Sequence, residues 1–400
     1  ELMSYYVQKG YAVLMPDYTG KMESDGESVL RTAYPPSLGY GNFERQQGFT
    51  HADDLPPDRT TWFEWTYVAL YSIEFLRAQE DVGNIGIVGI RTGGELAWHA
   101  MLSPHVRCGV PINAAGWRSS QHTGKFSDDI AHNLSDEQHR YIAATESQSY
   151  APYVKCPVLM LCALRDQTFD CDRAYDTYSR IGNTDGNALA YSPESGACIG
   201  QYALADMDLF LEKNLKGREI YIPDTLNVSL KETEEGIEIT VVSDEEGLLE
   251  EIGIFYAEAD VTKKSTCREW RHIYKIDGRS VKKDRVCHTV KPFAGAPAVF
   301  VFAYAKYFNG FRVMSKIACK RLTNAHTGAV KSKMLFSGKE MDSFSIARYE
   351  DYSIGKVFLE REAVPKITTG YGGIRGAYSV GGIKTYKISS PMYLPDENAL

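Results

Sequence analysis

The hydrophobic period of this chain changes near residue 218, and that change constrains the fold more than any other feature. Before it, short and nearly continuous apolar runs alternate with amphipathic segments. The runs are YAVLMPD (11–17), NIGIVGI (84–90), CGVPINAAG (108–116), PVLMLCAL (157–164) and NALAYSP (187–193). Between and after them lie WTYVALYSIEFLRAQ (65–79) and YALADMDLFLEKNLKG (202–217), with apolar residues at helical spacing. The second closes on Lys and Gly, as a helix end should. Strands apolar on both sides, alternating with helices, predict an α/β fold with a doubly wound, mostly parallel sheet over 1–217. The polar segment 117–150 reads as an insertion forming cap helices.

After residue 218 the pattern has a period of two. LNVSLKETEEGIEITVV and APAVFVFAYAKYFNGFRVMSKIACKRL alternate apolar and polar residues, punctuated by the turn signals DEEG, IDGR and FNGF. An all-β sandwich domain of immunoglobulin or fibronectin-III type is expected over 218–323, with Trp270 in its core. Residues 324–400 read as strands again, an incomplete β domain of jelly-roll type.

The segment NIGIVGIRTGGELAW (84–98) is a strand, a glycine-bounded turn and a helix. Gly89-Ile90-Arg91-Thr92-Gly93, followed by Gly94, has the spacing of a nucleophile elbow, in which a strained turn exposes its central side chain above the sheet. On this motif the chain resembles the α/β-hydrolase superfamily, its dienelactone-hydrolase and acetyl-xylan-esterase-like branches in particular. GYAVLMPDYTG, SYAPYVKCPVLMLCALRDQTFD and ALADMDLFLEKNLKG resemble, in order, other segments of the same fold. The resemblance covers 1–217 and implies a sheet of α/β-hydrolase type, truncated at its N-terminal side.

The resemblance also implies where a Ser-His-Asp triad would sit. The nucleophile position holds Arg91, whose delocalised and permanently protonated guanidinium cannot attack a carbonyl. The acid position matches Asp166; an aspartate there also suits a turn cap. The histidine position falls in SPESGACIGQY, where Ala197 and Cys198 stand, and no histidine lies between His139 and His272. Triad chemistry needs a hydroxyl, a base and an orienting acid. The expectation is therefore a degenerate, catalytically inactive esterase-like protein in which Arg91 and Asp166 face each other and pair. Two alternatives stand beside it. One is an active carboxyl-ester or glycan-ester hydrolase with a rearranged site using Thr92, Ser195 or Cys198. The other is a structural or interaction module.

Other classes are excluded or unsupported. The formal charge of −8 argues against nucleic acid as a partner. No stretch approaches the ~18 uninterrupted apolar residues of a membrane span. Eight cysteines are too few for a disulfide scaffold. Cys156 and Cys162 read as buried thiols, while Cys267, Cys287 and Cys319 are placed to pair in an oxidising compartment. His122, His132 and His139 lack ligand spacing, so neither metal nor cofactor is expected. A small ester or a glycan-derived molecule is the expected ligand class, and nothing in the sequence assigns a compartment.

Overall fold

Four apolar runs form strands, Ile85–Ile90 (β1), Val106–Ile112 (β2), Leu159–Ala163 (β3) and Ala188–Ser192 (β4); β3 and β4 are buried on both sides, whereas β1 is largely half-buried. In the computed structural model they form one sheet, all parallel, in the order β1-β2-β3-β4. The structure describes residues 2–19, 34, 55–120, 124–127, 134–166, 168–183, 185–193, 201–244, 248–262, 265–281, 284–292 and 296–323. Beyond these it describes the backbone of 333–334, 366–370, 373–379, 383–386 and 393–394.

Seven α-helices are found among these residues: Leu2–Gln8 (α1), Thr61–Arg77 (α2), Thr92–Ala100 (α3), Asp136–Thr145 (α4), Ser147–Tyr150 (α5), Ala174–Tyr178 (α6) and Gln201–Lys216 (α7). The Thr60 hydroxyl caps α2 by accepting from the Phe63 N–H. Ser135 and Gln138 form a capping box on α4. Side chains alternate across a strand, so Gly86 and Gly89, three apart, face opposite sides of β1. A Cβ at Gly86 would lie 3.0 Å from Leu215 of α7, and one at Gly89 would strike Gly93 of α3. The two helices thus cover the two faces of the sheet.

The later chain forms antiparallel ladders. Asn227–Thr233 (β5), Gly236–Val242 (β6) and Arg285–Val290 (β9) make one sheet in the order β5-β6-β9. Leu249–Glu258 (β7), Arg271–Asp277 (β8), Ala298–Tyr307 (β10), Arg312–Met314 (β11) and Ala318–Arg321 (β12) make a second. Its order is β11-β10-β7-β8, with β12 also on β10. The aromatic stretch of β10 is core: Phe300 and Phe302 are fully buried, and Phe302 packs 4.8 Å from Trp270. Gly310, at φ +91°, makes the hairpin turn to β11. In 324–400 the described backbone contains a three-stranded antiparallel run, Lys366–Gly370, Gly373–Ser379 and Ile383–Tyr386.

The two halves share one hydrophobic core, which runs from Trp98 and Leu159 through Tyr191 to Phe300 and Val313. Polar contacts cross the same boundary, among them those made by Arg268, Arg312 and Met314. Arg268 forms a two-pronged ion pair with Asp172, with Nη2 2.6 Å from Oδ2. The Arg312 N–H donates to Asp206 of α7 at 3.0 Å. At the outer edge of β4, the Tyr191 N–H donates to the Met314 sulfur at 3.0 Å.

Two expectations need correction. Residues 11–17 form no strand: Val13, Leu14 and Met15 are 38, 39 and 54% exposed. A strand exists through its ladder bonds, and this segment makes none among the described residues. Cys287 and Cys319 carry free thiols, on strands of different sheets. Cys156 and Cys162 are free and buried.

Candidate functional site

Arg91 occupies the tip of the turn between β1 and α3 with φ 51° and ψ −116°. Positive φ is costly for a residue with a side chain and persists only where the surroundings impose it. Two contacts impose it here. The Arg91 N–H donates to Ile112 O at the end of β2 (2.8 Å), and Arg91 O accepts from the Glu95 N–H inside α3 (2.9 Å). The turn can be this tight because two positions lack side chains. A Cβ at Gly89 would lie 2.1 Å from Gly93 O, and one at Gly94 would lie 2.6 Å from the Ala114 Cβ. Gly93, between them in sequence terms, has room: its nearest neighbour would be the Tyr18 hydroxyl at 4.0 Å. Thr92 is the first residue of α3.

Asp166 lies just beyond β3 with its carboxylate fully buried. Oδ1 accepts from the Thr168 N–H (2.8 Å), the Thr168 hydroxyl (2.7 Å) and the Phe169 N–H (3.2 Å), which closes the turn. Oδ2 accepts from Arg91 Nε (3.0 Å), Arg91 Nη2 (2.9 Å) and Asn113 Nδ2 (3.2 Å). One carboxylate therefore both caps its own turn and pairs with the arginine. Arg91 and Asp166, 75 residues apart, are brought together as their motif positions suggested. The arginine side chain remains 43% exposed.

Asn113 completes the arrangement and is invisible to motif reading. It follows β2 at φ 50°, where asparagine is better tolerated than most residues. Its Oδ1 accepts from the Ala163 N–H at 2.6 Å while its Nδ2 donates to Asp166. The side chain thereby ties the ends of β2 and β3 together. The only sequence signal was an asparagine at a strand end, which a turn explains equally well.

A second polar cluster joins α3 to the segment 117–150. Glu95 of α3 accepts from the Ser147 hydroxyl and from the Gly116 N–H (3.0 Å), and burial raises its pKa. Glu146 accepts from the Ser119 N–H (2.8 Å) and from Gln148 Nε2 (2.6 Å). His99 bonds Thr66 through Nδ1 and Thr145 O through Nε2. Burial, reinforced by the Arg118 charge, lowers its pKa to about 4, so the ring is neutral near pH 7. Arg118 lies over the Trp62 ring at 3.7 Å. Tyr141 of α4 packs with Trp62, Trp65 and Leu96, so α4 is pinned to α2 and α3.

Ser195, Ala197 and Cys198 lie outside the described residues, as do His122 and His132; His139 is exposed on α4. Among the described residues no group of His, Cys, Asp and Glu is arranged to hold a metal ion. No helix among them is long and apolar enough to cross a membrane.

No protein-family description and no curated protein sequence matches the chain. Among solved structures it is similar to the acetyl xylan esterase from Paenibacillus sp. R4, at 17% identity and TM-score 0.34, over 41% of this chain and 56% of that one. It is also similar to acetyl xylan esterase 1 from Thermoanaerobacterium sp. JW/SL YS485, at 16% identity and TM-score 0.35, over 47% and 61%. A third is the acylaminoacyl peptidase of Pyrococcus horikoshii, at 21% identity and TM-score 0.31, over 41% and 29%. The chain thus spans less than two thirds of the length of each. Likeness at this level bears on neither substrate nor mechanism.

Proposed function

We infer that residues 1–217 form an esterase-like domain of α/β-hydrolase type whose active site is degenerate, followed by a β-sandwich over 218–323. The observation that carries this reading is the backbone of Arg91. A strained residue at a strand-to-helix turn is a device for presenting a reactive side chain. Here the presented side chain is a guanidinium, already held by the buried Asp166 carboxylate. A guanidinium has no free lone pair for nucleophilic attack, and an acid occupied by an ion pair is not available to orient an imidazole. The turn geometry with a guanidinium at its tip supports a protein that has kept the fold without Ser-His-Asp hydrolysis. A small ester or glycan-derived molecule is the ligand class the reading favours.

The test is direct. A fluorophosphonate probe should leave the wild-type protein unlabelled, and short-chain aryl esters should not be turned over. Arg91→Ser alone should restore at most weak labelling, since a hydroxyl without a base remains a poor nucleophile. Labelling of the wild type that maps to Thr92, Ser195 or Cys198 would replace this reading with that of a working hydrolase.

A further inference from the structure

Helix α2 carries a line of exposed aromatic rings. Phe63, Tyr67, Tyr71 and Phe75 are 53, 64, 68 and 54% exposed, and the Tyr67 and Tyr71 rings stack at 6.5 Å, 17° from parallel. Their spacing of four residues places them on one i±4n ridge, turning only ~40° per step at 3.6 residues per turn. The opposite face of the helix is the one that holds it in the fold. Trp62 and Trp65 are buried in the cluster shared with Tyr141, and Ile73 is buried in the main core. The line is therefore surplus to the packing of α2. Contiguous exposed aromatics of this kind mark interaction surfaces.

We propose that the aromatic ridge of α2 is a dimer interface, and that its occupant is the same ridge of a second copy in antiparallel orientation. The ridge is self-complementary about its centre. With a twofold axis passing between Tyr67 and Tyr71, Tyr67 of one copy meets Tyr71 of the other, and Phe63 meets Phe75. Facing i±4n ridges interdigitate at about −50°, the commonest helix-packing class.

The charges at the two ends agree with that orientation and oppose a parallel one. Asp58 and Arg59 are exposed ahead of α2; Glu74, Arg77, Glu80 and Asp81 are exposed at and beyond its C-terminal end. Antiparallel pairing brings Arg59, beside the positive end of the helix dipole, to the acidic C-terminal end of the other copy. It also brings Arg77, which pairs with Glu74 of its own helix at 2.6 Å, towards Asp58. Parallel pairing would set Glu80 and Asp81 of one copy against the same two groups of the other, Glu74 being paired with Arg77.

The area is in the range a dimer needs. Four aromatics at these exposures offer about 500 Å² per copy, against about 800 Å² per partner in a standard interface. The flanking charged residues supply the remainder as a rim. An association of moderate strength follows, visible at tens of micromolar and reversible on dilution.

Sedimentation velocity of the whole chain over a range of concentrations, to ~100 µM, tests this. A monomer–dimer equilibrium is expected, weakened about tenfold or more by Tyr67→Lys and by Tyr71→Lys, because each substitution counts twice in a symmetric pair. Both positions are exposed, so circular dichroism and melting should match the wild type. Arg77→Glu should weaken the dimer, and Asp58→Lys added to it should restore part of the loss. A chain that stays monomeric throughout, or a dimer indifferent to both tyrosine substitutions, would overturn the proposal. Failure of Asp58→Lys to rescue would overturn the antiparallel orientation.

Discussion

Arg91 and Asp166 are joined by two hydrogen bonds to one carboxylate oxygen, while the other oxygen of Asp166 closes its own turn. The pair is unequal, since the acid is wholly buried and the base is 43% exposed. Removing the acid orphans Asn113, Thr168 and Phe169 donors as well as the arginine. Asp166→Ala is therefore expected to cost about 3 kcal/mol, and Arg91→Ala only about 1–2 kcal/mol, in denaturant melts.

The same pairing bears on anion binding. The α3 N-terminus and Arg91 together attract negative charge, but an internal carboxylate already occupies the guanidinium and loses less entropy than a free ion would. Calorimetry with acetate, citrate and phosphate should find no binding at about millimolar or better in the wild type, whereas Asp166→Asn should gain it. Wild-type binding that disappears in Arg91→Ala would reverse this expectation.

Neighbouring glycines of the β1–α3 turn should respond differently. A Cβ at Gly94 meets the Ala114 Cβ at 2.6 Å and Gly89 O at 2.9 Å, so Gly94→Ala should cost about 2 kcal/mol or more. Gly93→Ala places its methyl in open space on a helix and should leave stability unchanged or raise it by up to ~1 kcal/mol. Thermal melts of the two variants distinguish them.

The buried Arg268–Asp172 pair is expected to be costly to break and cheap to replace. Arg268 also stacks over Phe300 at 3.6 Å, and its Nε is buried without a hydrogen-bond partner among the described residues. Arg268→Met alone strands the Asp172 carboxylate and should cost about 3–5 kcal/mol. Adding Asp172→Leu should recover much of that loss in a double-mutant cycle.

Asp206 gives the molecule a pH-dependent term. Burial, only partly offset by the Arg312 charge and N–H, raises its pKa from 3.8 to about 7. The folded state thus binds this proton more tightly than the unfolded chain. The contribution is fully present below pH 3.8 and is lost as pH rises towards 7. Asp206→Asn keeps an oxygen acceptor for the Arg312 N–H and removes the titration. Its stability relative to the wild type should climb by an amount on the order of a few kcal/mol between pH 4 and 8. A flat difference across that range would contradict the assignment.

Legibility in the sequence followed the range over which each determinant acts. β1 to β4 and the turn between β1 and α3 are local patterns, and apolar runs with bounding glycines expose them directly. The meeting of Arg91 and Asp166 was readable only because both stand at strand ends of a recognisable motif. Asn113 was not, since its role depends on Ala163 and Asp166, both 50 or more residues away. YAVLMPD has the composition of a buried strand, yet a strand also needs a neighbour's backbone, which composition does not encode. The period change at 218 is visible in the residues, whereas the core joining both halves is not. That core depends on Met314, Arg268 and Phe300 reaching partners more than 90 positions distant.

The thioether of Met314 has a consequence for how molecules of this protein can meet. Among the described residues β4 is the last strand of the parallel sheet, and such a border normally offers its N–H groups to any extended chain that drifts past. Here the Tyr191 N–H is engaged by sulfur, with β11 lying against the strand. A newcomer would have to evict Met314 and peel β11 away before pairing at Tyr191. Sheet-to-sheet polymerisation through β4 is closed off for as long as the antiparallel half stays seated, so agitation or mild heat that loosens β11 should be what opens the route to fibrils.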